Sequence, residues 1–128
     1  MIKILVVDDE VFARDAMAKI IKRKGFEVFL AATGEECISV FKQEDPHVVF
    51  LDIVLPDIDG DHIHSYLREL KKDVAIYYVT GTEAIFTEEQ AARAGAIGYL
   101  QKPVDITELF KVLDNIKKKF EEVVNWKK

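Results

Sequence analysis

Five short apolar runs, each followed by a stretch with helical spacing, set what this chain can fold into. Ile2–Val7 is a short apolar run ending at acids, as expected of a strand buried on both faces. From Val11 to Lys24, Phe12, Ala16 and Ile20 lie four apart, as do Ala13, Met17 and Ile21. They are expected to form one apolar helical stripe, stopped at Gly25. Phe26–Ala31 reads as the second strand, and Thr33 with Glu36 as a capping box opening a helix that carries Cys37, Ile38 and Phe41. Pro46 precedes the third strand, Val48–Leu51; Pro56 and Gly60 mark a loop before a helix with Ile63, Leu67 and Leu70 on one side. Val74–Val79 is the fourth strand. Thr87 and Gln90 read as another capping box, Gly95 as a helix stop and Ile97–Leu100 as the fifth strand. Asp105 and Glu108 are placed to cap a last helix bearing Ile106, Leu109, Phe110, Leu113, Ile116 and Phe120. Strands separated by helices require parallel, right-handed crossovers with helices on both faces of the sheet. The expected fold is α/β and doubly wound.

Composition narrows the class further. At 128 residues the chain makes one domain, and 49% apolar residues supply a core large enough to exclude disorder. Cys37 is the single cysteine, so no intrachain disulfide exists. The apolar runs fall far short of the roughly 20 residues that span a bilayer, and no signal-peptide pattern follows Met1. A cytoplasmic domain without membrane insertion is expected. The net charge is −5, from 23 acidic and 18 basic residues, which speaks against direct nucleic-acid binding. The basic run Lys117–Lys119 reads as a solvated helix face near a helix C-terminus.

Ligands of open α/β sheets bind beyond the C-terminal ends of the strands. Asp8, Asp9 and Glu10 follow the first strand here, Asp52 ends the third, Thr80 ends the fourth, and Gln101, Lys102 and Pro103 follow the fifth. Singly, each has an ordinary reading: a helix cap, a turn acid, a strand threonine, a surface lysine. Jointly they bring acids, a hydroxyl and an ammonium to one sheet edge. Two unit charges 4 Å apart repel by about 4 kcal/mol at an effective dielectric near 20. Three carboxylates therefore recruit a proton or a cation. A small, hard oxygen-ligand site suits Mg²⁺ together with a phosphoryl group.

These residues make the chain resemble the receiver domains of two-component response regulators. The likeness rests on Asp8-Asp9, on Leu51-Asp52-Ile53-Val54-Leu55-Pro56-Asp57-Ile58-Asp59-Gly60, on Thr80-Gly81-Thr82, on Tyr99 and on Lys102-Pro103. It covers about Met1 to Lys118. It implies the flavodoxin-like strand order 2-1-3-4-5. It implies Asp52 as the acceptor of a phosphoryl group from a sensor histidine kinase or phosphotransfer protein, the chain being a phosphoacceptor regulator and not an enzyme. Asp9, Asp52 and the backbone carbonyl of Val54 would bind Mg²⁺ directly, and Asp8 through a water. Lys102 and Thr80 would contact the phosphoryl oxygens, with Thr80 and Tyr99 as the switch pair. The resemblance further implies a cis Lys102–Pro103 bond, a downstream protein target or a missing output domain, and a phosphorylation-dependent dimer.

The departures from the family's commonest pattern are modest. Leu55 stands where methionine is most frequent, a near-isosteric change. Val54 is apolar and cannot polarise an attacking water, while Glu83, near the switch loop, is placed to reach that water. Dephosphorylation that is not fast is expected.

Three other functions compete. A phosphorylation-independent interaction module would usually lack an acid or the lysine. An aspartyl-phosphate hydrolase would need its Asp-x-Asp at the end of the first strand, whereas Asp57-Ile58-Asp59 sits in a Pro/Gly loop. A flavin carrier would find Asp8-Asp9-Glu10 repelling its phosphate. His62 and His64 face different directions on a helix, His47 lies near a turn, and Cys37 packs as a small apolar residue. Ile85 and Phe86 read as core, with a partner surface as the alternative. Residues 1–120 are assigned to the receiver and 121–128 to a helical extension or the start of a linker. Val123, Val124 and Trp126 continue the helical spacing there. A stand-alone receiver is expected ahead of the N-terminal piece of a longer regulator.

Overall fold

The computed structural model of the chain describes residues 1–81 and 88–127. Strands and helices alternate as β1 (Lys3–Val7), α1 (Val11–Arg23), β2 (Glu27–Ala31), α2 (Gly34–Glu44), β3 (Val48–Asp52), α3 (Gly60–Leu70), β4 (Ala75–Thr80), α4 (Glu88–Arg93), β5 (Gly98–Gln101) and α5 (Ile106–Lys127). All strand pairs are parallel, in the order β2-β1-β3-β4-β5. The expected flavodoxin-like architecture is the one observed.

Alternate strand residues feed two cores. Leu5, Val7, Val49, Leu51, Ile76 and Tyr78 pack with Cys37, Phe41, Ile63, Leu67 and Ala91 from α2, α3 and α4. Ile4, Val6, Val48, Phe50, Tyr77 and Val79 pack on the other face with Met17, Ile21, Leu109, Leu113 and Ile116 from α1 and α5. Every residue of β3 is buried, which is why that strand reads as a continuous apolar run.

The local signals act as their chemistry requires. Thr33 Oγ1 accepts from Glu36 N at 3.1 Å, and Glu36 Oε2 accepts from Ala32 N at 2.8 Å. The capping box is therefore reciprocal, but its return bond reaches one residue before the cap. Asp105 Oδ1 accepts from Thr107 N at 2.7 Å and caps α5. Gly25 and Gly95 follow α1 and α4 with φ of +94° and +96°, a left-handed geometry that a side chain would strain. Thr87, the first residue of the other expected capping box, lies outside the described residues, as do Thr82, Glu83, Ile85 and Phe86. Helix α5 runs unbroken from Ile106 to Lys127, so no change of backbone marks position 120.

Three expectations about apolar faces need correction. Phe12 is 92% exposed and Ala16 is exposed too, so the α1 stripe does not pack as a unit. Only Met17 and Ile21 are buried in the core. Ile20 packs half-buried beside them, and Ala13, Ala16, Met17 and Ile20 line a cleft between α1 and the start of α5. Leu70, the last residue of α3, and Ile106, the first of α5, are likewise largely exposed, since a helix end has neighbouring turns on one side only.

At the opposite end of the sheet from the acids, His47 Nδ1 accepts from Lys3 N at 2.9 Å, and its ring meets Phe120 edge-on at 5.0 Å. Burial first, and the Lys71 charge second, hold its pKa below the ordinary histidine value. The neutral ring is thus the folded form, and its contribution to stability is present above about pH 6.5 and lost as pH falls below it. Urea unfolding at pH 7.5 and pH 5.5 is expected to show wild type losing more stability on acidification than His47→Gln.

Candidate functional site

The register of the sheet assembles the site one residue at a time. Val7 pairs with Leu51, so Asp8 leaves β1 beside Asp52 at the end of β3. Asp52 pairs with Val79, which places Thr80 one step further along β4. Thr80 pairs with Gln101, and Lys102 follows directly. The strand order reverses between β1 and β3, and the acids stand at that switch point.

Asp8 and Asp52 are nearly closed to solvent, at 2% and 3% exposure, whereas Asp9 is exposed. One carboxylate oxygen from each lies within 4.8 Å of the others. The Lys102 ammonium sits among them, 2.9 Å from Asp8 Oδ2 and 3.0 Å from Asp52 Oδ2. Asp52 Oδ1 accepts from Val54 N at 2.9 Å, while Asp8 Oδ1 accepts from Glu10 N at 2.9 Å. Burial raises the Asp52 pKa above its ordinary value despite the Val54 N–H and Lys102 bonds that oppose it. For Lys102, burial pulls downward, but its bonds to Asp8 and Asp52 outweigh that and push it up. The ammonium therefore stays charged, and the carboxylate beside it is held in a costly buried state.

Thr80 is fully buried, its hydroxyl donating to Gly81 O at 3.2 Å. Tyr99 is half-buried against the core that contains Tyr78. The Lys102–Pro103 peptide is cis. Val54 is 59% exposed at the rim. Beside the acids opens a cleft of about 660 Å³, walled by Ala13, Ala16, Met17 and Ile20 of α1 and by Val104, Ile106 and Leu109 across from them.

The structure also places residues whose roles the sequence pattern did not disclose. Glu10 Oε1 lies 3.5 Å from Lys102 Nζ. Arg14 Nη1 donates to Asp8 O at 3.3 Å, across the β1–α1 turn. Asp57 accepts from Gly34 N at 2.8 Å and Glu35 N at 3.0 Å, capping α2 from the β3–α3 loop. Those two N–H groups hold its carboxyl below the usual range. The only sequence hint for Glu10 was a third acid in a row, and for Asp57 an acid in a Pro/Gly loop. Cys37 is buried, and burial first, then the Asp57 charge, pushes its thiol up to about 12, which leaves it unreactive. His62 is exposed and His64 buried, so they do not form a pair.

Residues 4–114 match the family model described as response regulator receiver domain. The chain belongs to this family. Among its relatives is a probable transcriptional regulator, ycf27, of Porphyridium aerugineum, 36% identical over 107 residues that make up 84% of this chain and 44% of that protein. Sporulation initiation phosphotransferase F of Bacillus subtilis is 28% identical over 84% of this chain and 86% of its own length. The crystal structure of a CheY-like response regulator receiver domain protein from Methanospirillum hungatei superposes with a TM-score of 0.81 at 30% identity, covering 95% of both chains. The receiver here spans about half the length of the first curated relatives it matches, 44% to 47%. No helix among the described residues is long and apolar enough to cross a membrane. As a receiver, the chain is a signalling regulator of a two-component system.

Proposed function

We propose that this receiver is a phosphorylation-activated switch in which Asp52 takes a phosphoryl group from a phosphohistidine of a sensor kinase or phosphotransfer protein. The observation that carries the reading is Asp52 itself: a buried carboxylate held by Val54 N–H and by Lys102, with Thr80 next along the sheet edge. Phosphoryl transfer asks a protein for in-line positioning and charge stabilisation more than for covalent work. The two contacts fix the carboxylate's direction. An Asp52 oxygen bonds to phosphorus as the nitrogen–phosphorus bond breaks, and the electron pair stays on the departing imidazole. Lys102 offsets charge on the transferred oxygens, and Thr80 donates to one of them.

The donor set fits Mg²⁺. Oxygens of Asp8, Asp9 and Asp52 converge within 4.8 Å of one another, and the one ammonium beside them, 2.9 Å from Asp8 Oδ2, leaves the three carboxylates short of positive charge. Asp9, Asp52 and the Val54 carbonyl would hold the ion directly, and Asp8 through a water. A bound Mg²⁺ supplies charge neutralisation between nucleophile and phosphoryl group. The phosphorylated site carries about −1.5 to −2 charges in a pocket built around one ammonium. Thr80 then turns towards it, Tyr99 takes up the vacated space, and the surface of α4, β5 and α5 changes its partners. Those partners are a downstream protein, an output domain, or a second phosphorylated copy. Apolar Val54 cannot polarise an attacking water, so loss of the group is not fast.

Intact mass after incubation with acetyl phosphate tests this. One phosphoryl group, dependent on Mg²⁺ and absent in Asp52→Asn, is the expected result. No gain in folded wild type would instead favour a phosphorylation-independent interaction module.

A further inference from the structure

Glu10 is the third acid after β1 and stands at the N-cap of α1. Its side chain makes no capping hydrogen bond there. A glutamate is a poor cap, and the work of the turn is done by others: Asp8 Oδ1 receives the Glu10 N–H, and the Glu10 carbonyl receives Arg14 N at 3.0 Å. The freed carboxylate lines the cleft beside the acids and lies 3.5 Å from Lys102 Nζ. It is 67% exposed, whereas the other two acids on that ammonium are nearly closed to solvent. Lys102 thus faces three carboxylates, and Glu10 is the solvent-exposed one, on the cleft that opens beside the acids.

We infer that Glu10 is an electrostatic gate on phosphorylation, a positioning residue that acts through Lys102 and through its own charge. The inference rests on Asp52 being the phosphoacceptor. Before transfer, Glu10 draws the ammonium outward and repels an incoming anionic phosphoryl group. The transfer itself is unchanged: with acetyl phosphate, an Asp52 oxygen bonds to phosphorus, the phosphorus–oxygen bond to acetate breaks, and acetate leaves with the electron pair. What Glu10 sets is the cost of bringing a like charge to a mouth that already holds one. Because that carboxylate is exposed, salt screens it. The gate is therefore strongest at low ionic strength. It also follows that neutralising Glu10 removes one negative charge near the Asp8, Asp9 and Asp52 oxygens, so more Mg²⁺ is needed for half-maximal rate.

Phosphorylation of the full chain by acetyl phosphate, followed by intact mass at saturating Mg²⁺, tests the gate. At low salt, Glu10→Gln is expected to react about three- to fivefold faster than wild type, with the gap closing as salt rises. Glu10→Asp keeps the charge and restores the slow rate. The same variant supplies a better helix cap and raises thermal stability, which separates charge from folding. Equal low-salt rates for wild type and Glu10→Gln would overturn the gate, as would Glu10→Asp reacting as fast as Glu10→Gln. No phosphorylation of wild type would overturn the phosphoacceptor reading and the gate with it.

Discussion

Lys102→Met is expected to cost about 3–5 kcal/mol of folding stability at neutral pH, the usual consequence of removing one partner from a buried ion pair. The side chain is 13% exposed, and the two carboxylates it contacts are nearly closed to solvent. Methionine fills the space but leaves Asp8 and Asp52 facing each other without a cation. The sign of the pH dependence follows from Asp52, whose pKa burial already raises. Without the ammonium it rises further. A raised acid destabilises the fold when ionised, so the deficit is smallest in acid and grows as pH increases through the folded value. Urea unfolding of the mutant and wild type at pH 5 and pH 8 reads this directly. Mg²⁺ is expected to restore more stability to the mutant than it adds to wild type. Acetyl phosphate is expected to modify Asp52 more slowly in the mutant, and the partner surface is expected not to respond. A loss under about 1 kcal/mol at pH 8, indifferent to pH and Mg²⁺, would mean the ammonium is not the cluster's counter-ion.

Arg68→Met has the second-largest expected effect. The Arg68 guanidinium donates to Val74 O at 2.6 Å, Lys72 O at 3.3 Å and Gly95 O at 3.0 Å. It also approaches His64 Nε2 at 3.3 Å, and since a guanidinium can only donate, His64 carries its proton on Nδ1, against the Tyr78 hydroxyl. One side chain therefore ties α3 to the start of β4 and to the turn between α4 and β5. Each carbonyl left without a donor costs about 1–3 kcal/mol if water cannot reach it. The turn at Gly95 is exposed, so rehydration recovers part of the loss, and the expected net cost is about 2 kcal/mol. Hydrogen exchange localises the effect: the amides of Gly95, Ala96 and Ile97 should exchange faster, while those of β1 and β3 change only with global stability. Arg68→Lys is not expected to rescue, because one ammonium cannot reach three carbonyls in a planar fork.

The contrast between Lys102 and Arg68 shows what the sequence makes legible. Asp8, Asp9, Asp52, Thr80 and Lys102 stand out because each interrupts or ends an apolar run, and parallel topology brings all such ends to one edge. Strand periodicity thus yields fold and site together. Arg68 sits inside an amphipathic helix, where an arginine is unremarkable, and its three acceptors are backbone carbonyls that no residue type announces. Asp57 escapes for a similar reason. Its partners are the amides of Gly34 and Glu35, more than twenty positions away, and only the folded loop brings them near. Phe12 was misplaced because four-residue spacing defines a row on a helix but not which of two neighbouring rows meets the sheet. Met17 and Ile21 are buried against the sheet and Ile20 packs half-buried beside them, whereas Phe12 and Ala16 of the neighbouring row are exposed.

The central claim is that Asp52, and no other acid of the cluster, accepts the phosphoryl group. Borohydride reduction of the phosphorylated chain, followed by peptide mass mapping, tests it at residue level, because an acyl phosphate is reduced to an alcohol while free carboxylates are not. Homoserine at position 52, formed only after treatment with both Mg²⁺ and donor, is the predicted result. Homoserine at position 8 or 9, or none in a chain that has gained a phosphoryl group, would contradict the account.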